Sequence, residues 1–248
     1  MQNLSAVILA KNEEKQIASV IKNVTFAKEI IVIDDYSIDK TSTIAKKNKA
    51  RVYKRHLEQN FAQQRNFGLQ KAKYDWVLFL DADEVISKKL QTQIVKIKIN
   101  TDYSAYLFKR IDLFWNKKLY FGEIKNIFVP RLVNKKQGQF VRTVHEVWHT
   151  HKKIKKIYEP LYHYSHPTLS EFIKKINFYS TLNAKVLYKK GQNTQAFDIL
   201  FTPLLKFVYL YFFKFGFIDG VEGLVYSLMM SFHSFLSRAK LYLLLNND

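Results

Sequence analysis

The sequence contains no cysteine and few of the residues that interrupt regular structure: its 248 residues include no Cys, seven Gly and four Pro. The absence of Cys excludes a disulfide scaffold, a thiolate metal site and a cysteine nucleophile. The low Gly and Pro content excludes a collagen-like or low-complexity chain. Because 48% of the residues are hydrophobic, the chain can bury a core, and its length fits one large domain or one domain with an appendage.

The sequence also lacks two membrane-related signals. No stretch of about 18 residues is free of charge, so we expect no clear membrane-spanning helix. The apolar run near the N-terminus has no basic region before it, which is not typical of a secretory signal. We therefore expect a cytoplasmic protein.

Acidic residues are scarce relative to basic ones, with 21 Asp+Glu against 40 Lys+Arg and a net charge of +19. Such an excess favours an anionic partner, which could be a nucleic acid, a nucleotide diphosphate or an acidic membrane surface. The alternative is a composition bias that serves solubility. No nucleic-acid-binding motif is recognisable, so we expect no nucleic-acid partner.

Three short apolar runs, at residues 4–9, 29–33 and 76–80, are each followed directly by polar residues. Such runs predict strands buried on both faces of a parallel sheet. Helical patterns separate them, so we predict an α/β/α sandwich with a mostly parallel central sheet, in which ligands bind at the carboxyl ends of the strands. The polar clusters all fall at that edge.

Asp81 and Asp83 follow the third run, one residue apart. Two carboxylates on the same side repel each other unless a cation joins them. Mg²⁺ or Mn²⁺ would do so, because both ions prefer oxygen ligands and keep coordination positions open for phosphate oxygens. The alternative is a capped, solvated loop. After the second run, Ser37 or Asp39 can cap the next helix, which leaves Asp35 to accept a hydrogen bond from a base or a ribose.

Four blocks in this order resemble the family 2 glycosyltransferases with the GT-A fold. They are Ala10-Lys11-Asn12-Glu13-Glu14, the D-D-x-S-x-D-x-T match that starts at Asp34, the R-N-x-G match that starts at Arg65, and the D-x-D match Asp81-Ala82-Asp83. The resemblance implies a metal held by Asp83 and Asp81, and a nucleotide-sugar site formed by Asn12, Glu13, Asp34, Asp35, Arg65 and Asp81.

The second half is similar to a subgroup of that family, the lipopolysaccharide core glucosyltransferases. The similar segments are Pro130-Arg131-Leu132 and Val144-His145-Glu146. This similarity implies a UDP-hexose donor, with UDP-glucose as the first choice. It also implies a lipid-linked glycan acceptor and a location on the inner face of the cytoplasmic membrane.

Glu146 is the candidate catalytic base. A carboxylate opposite the leaving group would take the proton of the attacking acceptor hydroxyl, and the anomeric configuration would be inverted. Glu84 and Glu123 are the second candidates. The alternative for Glu146 is an ion pair with Arg142 or a lysine.

Two other functions compete with the transferase. His145-Glu146-Val147-Trp148-His149 matches the H-E-x-x-H pattern of zinc peptidases, but the β-branched and aromatic residues around it favour a strand or loop over the helix which that pattern needs. The other alternative is a non-catalytic nucleotide-binding or nucleic-acid-binding domain.

From residue 195 onward the chain becomes rich in Phe, Tyr and Leu. We therefore predict a catalytic domain at 1–194, with a nucleotide-binding half at about 1–100 and an acceptor half at about 101–194, followed by an apolar helical segment at 195–248. Lys206 and Lys214 interrupt the apolar run, so we expect amphipathic helices that lie on an anionic membrane. The alternative is a hairpin that packs on the catalytic domain or on a second subunit.

Overall fold

The structure is a computed structural model that describes residues 3–58, 60–97, 102–115, 117–143, 146–166 and 168–246. Its first part alternates strands and helices, as the apolar runs predict. The elements are β1 Leu4–Ala10, α1 Ile17–Asn23, β2 Glu29–Asp34, α2 Thr41–Lys47, β3 Arg51–Lys54, α3 Phe61–Lys71 and β4 Trp76–Asp81.

The middle of the chain is mostly β-structure. Its elements are β5 Glu84–Ile86, α4 Lys88–Lys96, β6 Tyr103–Phe114, β7 Lys117–Lys118, β8 Phe128–Asn134, β9 Gln139–Val141, β10 Val147–His149 and β11 Lys153–His166. The C-terminal part is helical, with α5 Leu169–Lys189, α6 Ala196–Val208, a π-helical segment Tyr209–Phe213 and α7 Val221–Asn246. Short 3₁₀ turns lie at Gly122–Ile124 and Gly216–Asp219.

The main sheet has the strand order β3-β2-β1-β4-β8-β6-β11-β5. The strands β3, β2, β1 and β4 run parallel, and antiparallel strands extend the sheet beyond β4. Strand β1 is buried almost throughout because apolar side chains pack on both of its faces, with Ile8 in one core cluster and Val7 in the other. The predicted α/β fold with parallel central strands and C-terminal helices is confirmed.

The chain divides into two compact units. The first comprises Met1–Arg110 and Ile127–His163, and the second comprises Ile111–Asn126 and Tyr164–Asp248. This division differs from the predicted boundary after residue 194, because α5 belongs with the C-terminal helices. Lys240 on α7 donates hydrogen bonds of 2.7 to 2.8 Å to oxygens of Asn177, Ser180 and Thr181 on α5.

Within the second unit, Asp219 organises the turn before α7. Its carboxylate accepts hydrogen bonds from the backbone N–H groups of Tyr120 and Phe121 at 3.1 and 2.9 Å. Lys117 donates to the Asp219 carbonyl at 2.9 Å and to the Glu222 carboxylate at 2.8 Å. These bonds hold the 111–126 segment against the start of α7.

Among the residues that the structure describes, one helical stretch, Ala196–Phe213, is long and apolar enough to cross a membrane by the criteria of length and composition, with a mean hydropathy of 1.5. The expectation that no stretch of about 18 residues is free of charge holds for this one. Asp198 and Lys206 are the charged residues in it, and two charges do not prevent it from meeting those criteria.

Candidate functional site

The loops that follow β1 and β2 are hydrogen-bonded to each other. Asn12 adopts a left-handed backbone conformation, with a φ of 56°. Its N–H donates to Ser37 Oγ at 2.8 Å, and its Oδ1 accepts from the Ile38 N–H at 2.9 Å. The Glu13 N–H donates to Thr41 Oγ1 at 2.7 Å. Asn12 and Glu13, both predicted to bind the nucleotide, therefore also fix the loop that carries the paired aspartates.

Asp34, the first of the paired aspartates, is fully buried. Its Oδ1 accepts from the N–H and Oγ of Ser37, and its Oδ2 accepts from Ser42 Oγ at 2.8 Å. The predicted contact of Asp34 with the nucleotide stays a prediction, and in the structure its carboxylate bonds to its own loop. Because side chains alternate along a strand, Asp34 points under the loop and Asp35 points out of it.

Asp35 lies at the carboxyl edge. The sequence pattern suggested that its carboxylate is free to accept from a ligand, but in the structure it already has partners. Oδ2 accepts from Lys11 Nζ at 2.8 Å, and Oδ1 accepts from the Leu57 N–H at 3.1 Å. The His56 ring stacks on Tyr36 with a centroid distance of 3.8 Å, and its Nδ1 is 3.7 Å from Asp35 Oδ1. The Lys11 side chain is 61% exposed, so it can move aside or share Asp35 with a ligand.

The aspartates that end β2 and β4 lie on either side of the end of β1. Asp34 pairs with Ala10, and Asp81 pairs with Leu9, across the parallel register of β1. Just beyond, the Asp35 N–H donates to the Ala10 carbonyl at 2.9 Å and the Ala82 N–H donates to the Leu9 carbonyl at 3.1 Å. The predicted convergence of the two motifs at the carboxyl edge is therefore present.

Asp81 is held by two arginines. Arg65 Nη2 lies 3.0 Å from its Oδ1 and 3.2 Å from its Oδ2, and Arg131 Nη2 lies 2.7 Å from its Oδ2. Burial tends to raise the pKa of Asp81, but the positive charges of Arg131 and Arg65 outweigh burial and place the pKa below its ordinary value. The carboxylate is therefore ionised, and its side chain remains 32% exposed.

Arg65 joins this carboxylate to the candidate base. Its Nε donates to Glu146 Oε1 at 2.6 Å, and its side chain is only 2% exposed. The aromatic rings of Phe79 and Phe140 lie 5.6 and 5.8 Å from its guanidinium carbon. The ion-pair alternative for Glu146 is thus realised, with Arg65 as the partner instead of Arg142 or a lysine.

Glu84 forms the buried end of the same network. It is completely buried and accepts from Arg131 Nε at 2.8 Å and from Arg131 Nη2 at 2.7 Å. Burial lowers the pKa of Arg131, but the carboxylates of Asp81 and Glu84 raise it above its ordinary value. Glu84 Oε2 also accepts the Asp81 N–H at 3.1 Å. A fully buried carboxylate with all these partners is not placed to take a proton from an acceptor hydroxyl, which corrects the second choice of Glu84 as a base.

The other second choice, Glu123, lies in the second unit, where its Oε1 is 3.4 Å from Lys206 Nζ. It therefore already has a cationic partner within its own unit.

Asp83 is paired with a histidine that the sequence analysis assigned no role at this position. His163 Nε2 lies 3.4 Å from Asp83 Oδ2, and both side chains are largely buried. The antiparallel pairing of β11 with β5, which sets His163 opposite Glu84, brings the two together. Asp83 and His163 both act electrostatically on Asp81. A carboxylate oxygen beside an imidazole nitrogen is a donor pair that suits a divalent cation, although no group of three such ligands occurs in the described residues.

The H-E-x-x-H segment does not have the geometry of a zinc peptidase. His145 lies outside the described residues. Residues 147–149 form β10, which pairs with β9, whereas the peptidase pattern needs both histidines on one helical face. Trp148 is buried, and its Nε1 donates to Ser104 Oγ at 3.2 Å. This part of the pattern is thus a packed strand.

Comparison with known proteins agrees with this geometry. The model of the glycosyl transferase family 2 matches residues 5–165. The chain belongs to glycosyl transferase family 2. An uncharacterized glycosyltransferase of Rickettsia typhi is 33% identical over 97% of this chain and 87% of its own length. The lipopolysaccharide core biosynthesis glycosyltransferase LpsC of Rhizobium meliloti is 24% identical over 96% of this chain and 92% of its own length.

A solved structure shows the same fold. Glucosyl-3-phosphoglycerate synthase from Mycobacterium tuberculosis, in complex with Mn²⁺, UDP and glucosyl-3-phosphoglycerate, superposes with a TM-score of 0.52. It is 14% identical, and the match covers 78% of this chain and 82% of that one. The predicted family 2 membership and GT-A fold are confirmed.

In this family 2 glycosyltransferase, sequence reasoning missed two residues of the site. Arg131 was noted only as part of a short motif, and His163 was not singled out. A signal existed for Arg131, since an arginine within an apolar strand must find a carboxylate partner. His163 carried no such signal, because the pairing of β11 with β5 brings it to the site from about 80 residues away.

Proposed function

We propose that this chain is an inverting, metal-dependent glycosyltransferase that moves a hexose from a UDP-sugar to a hydroxyl of a lipid-linked glycan. The observation that carries the proposal is the bridge made by Arg65, which contacts Asp81 with Nη2 and Glu146 with Nε. One side chain thereby joins the edge that would hold the donor to the candidate base.

On the donor side, Asp35 would accept a hydrogen bond from the base or ribose in place of Lys11, beside the exposed Tyr36 ring. Asp83 and His163 would hold Mg²⁺ or Mn²⁺, with Asp81 alongside. A bound cation would supply positive charge against the diphosphate leaving group. Arg65 and Arg131 fix Asp81, so its orientation does not depend on the ligand.

On the acceptor side, Glu146 would take the hydroxyl proton. Arg65 engages its Oε1, so Oε2 is the oxygen that would accept. A well-placed base contributes about 10²- to 10⁴-fold to the rate. Because the base acts opposite the leaving group, the anomeric configuration would be inverted.

UDP-glucose and a lipopolysaccharide core acceptor are the most specific substrates that we propose. Similarity to a relative named for lipopolysaccharide core biosynthesis supports the acceptor class. The fold neighbour with Mn²⁺ and UDP supports the choice of ligands for testing. We place the enzyme in the cytoplasm, on the inner face of the cytoplasmic membrane, where such an acceptor is reachable.

Thermal unfolding with UDP and Mn²⁺ tests the donor site. At a ligand concentration of about 100 times Kd, binding stabilises the protein by about 2.7 kcal/mol, which corresponds to a Tm increase of about 5–11 °C. Asp83→Ala should abolish the increase. Asp75→Ala is the matched control, because Asp75 is 46% exposed and pairs with Lys136 away from the site. An unchanged Tm across several nucleotides with Mn²⁺ would contradict the proposal.

Turnover distinguishes an enzyme from a binding domain. A screen of UDP-sugars with Mn²⁺ or Mg²⁺ should show donor hydrolysis by the unmodified chain. Glu146→Gln should keep the UDP-dependent Tm increase and reduce transfer by about 10²-fold or more. A full ligand response without hydrolysis or transfer of any donor would favour the non-catalytic alternative.

A further inference from the structure

Helix α6 carries an apolar stripe that faces away from the protein. The stripe consists of Phe197, Leu200, Phe201, Leu204 and Leu205, which recur at spacings of three and four residues and are between 38% and 68% exposed. In a soluble domain such a stripe normally faces the core. In Ala196–Phe213 only 11% of the residues are buried, so the exposed stripe calls for an apolar partner.

The helix is held in place on its other side. Ser231 Oγ on α7 donates to the Pro203 carbonyl at 2.6 Å, and Lys206 Nζ lies 3.4 Å from Glu123 Oε1. At about 1.5 Å per residue the 18 residues span about 27 Å, close to the thickness of a bilayer core. Crossing the bilayer would, however, place the Lys206–Glu123 pair in hydrocarbon, which is costly. The geometry therefore favours a helix that lies in the membrane interface.

A basic groove adjoins the stripe. It has a volume of about 510 Å³ and is lined by Lys125, Lys206, Lys214 and Glu123, together with apolar side chains that include Leu205 of the stripe. The Lys214 ammonium lies 5.3 Å from the Tyr209 ring, and the Lys125 ammonium lies 5.1 Å from the Phe121 ring. Lysines backed by aromatic rings beside an apolar surface match the boundary between lipid phosphates and acyl chains.

We propose that this face of the second unit docks on an anionic lipid bilayer, with lipid phosphate groups in the basic groove and the apolar stripe among the upper acyl chains. Charge decides between this occupant and a second copy of the chain. Two copies would each bring the same lysines and a net charge of +19, whereas an anionic bilayer is complementary to them. The proposal does not depend on the transferase activity.

Flotation of the full chain with vesicles tests the proposal. We expect binding to vesicles of phosphatidylcholine with added phosphatidylglycerol and little binding to phosphatidylcholine alone. Each basic residue near such a surface contributes about fivefold to partitioning, so Lys125→Gln/Lys214→Gln should reduce it about 30-fold. The matched control is Lys189→Gln/Lys190→Gln, which removes the same charge from exposed positions at the end of α5; it should change partitioning less, because these lysines do not line the groove.

The stripe is tested separately. Leu200→Ser/Leu204→Ser should also reduce partitioning by about tenfold or more, whereas Leu169→Ser/Ile173→Ser, at exposed positions on α5, should reduce it much less. All these side chains are exposed, so an unchanged circular dichroism spectrum will show that the variants fold. Asp83→Ala should float like the unmodified chain, which separates this proposal from the donor site.

Three results would overturn the proposal. One is equal flotation with neutral and anionic vesicles. Another is an equal loss of partitioning in the groove variant and in its lysine control. The third is a concentration-dependent dimer, without flotation, that the stripe variant dissociates; that result would assign the face to a second copy.

Discussion

Arg131→Met tests whether the Arg131 guanidinium compensates the charge of the buried Glu84 carboxylate and thereby stabilises the fold. Glu84 is fully buried, Arg131 is 4% exposed, and two hydrogen bonds of 2.7 and 2.8 Å join them. Removing one partner of such a buried pair costs about 3–5 kcal/mol, because the other charge is left without compensation. For a chain of this size that is a Tm decrease of about 6–20 °C.

A second substitution separates lost charge compensation from lost packing. In Arg131→Met/Glu84→Gln the buried carboxylate is gone, and the amide oxygen that replaces it can still accept the Asp81 N–H, which Glu84 Oε2 accepts at 3.1 Å in the unmodified chain. Since replacing both members of a buried ion pair is often close to neutral, we expect the double variant to recover at least half of the lost stability. Scanning calorimetry at neutral pH measures both changes.

The same double variant should not recover donor binding. Asp81 would keep Arg65 but lose its 2.7 Å bond to Arg131, so the Tm increase with UDP and Mn²⁺ should stay below that of the unmodified chain. The reasoning would be refuted by a single variant that loses less than about 2 °C, or by a double variant no more stable than the single one.

Two further predictions concern the site and the edge of the sheet. Arg65→Lys should lower kcat by about tenfold or more, because an ammonium cannot bridge Asp81 and Glu146 as a guanidinium does. Steady-state kinetics measures this change, and an unchanged kcat would refute it. Burial alone would raise the pKa of Glu29, but its hydrogen bonds and the Arg51 charge outweigh burial and hold the pKa below its ordinary value. The ionised carboxylate therefore stabilises the folded protein at neutral pH, and this stabilisation is lost as the pH falls through the lowered pKa. Glu29→Gln should therefore lose about 1.5–3 kcal/mol at pH 7, and urea unfolding should show this deficit shrinking in acid; a deficit independent of pH would contradict the assignment.

The strand pattern was enough to predict the nucleotide-side half of the fold. Apolar runs followed at once by polar residues are characteristic of buried parallel strands, and the structure has β1, β2 and β4 at those runs. Neighbouring parallel strands end at one edge, so the convergence of the Asp35 and Asp81 loops on Leu9 and Ala10 of β1 follows from local pattern and general topology.

The roles of individual side chains at that edge were less predictable. Asp34 and Asp35 are adjacent in sequence and both buried, yet Asp34 bonds to Ser37 and Ser42 of its own segment whereas Asp35 bonds to Lys11 and Leu57, because the direction of each depends on which strand position ends the ladder. In the sequence, Glu84 was a second candidate for the base after Glu146. Only the approach of Arg131 shows that Glu84 is occupied.

The sequence by itself determined the fold class, the family and the position of the acidic motifs, because hydrophobic period and short motifs are local properties of the chain. Tertiary structure alone decided that Arg131 and His163 join the site, since antiparallel pairing brings β8 beside β4 and β11 beside β5 over long sequence separations. It also decided which side of α6 is covered. Composition shows that a helix is apolar, whereas the stripe that faces outward is known only once α7 occupies the opposite side.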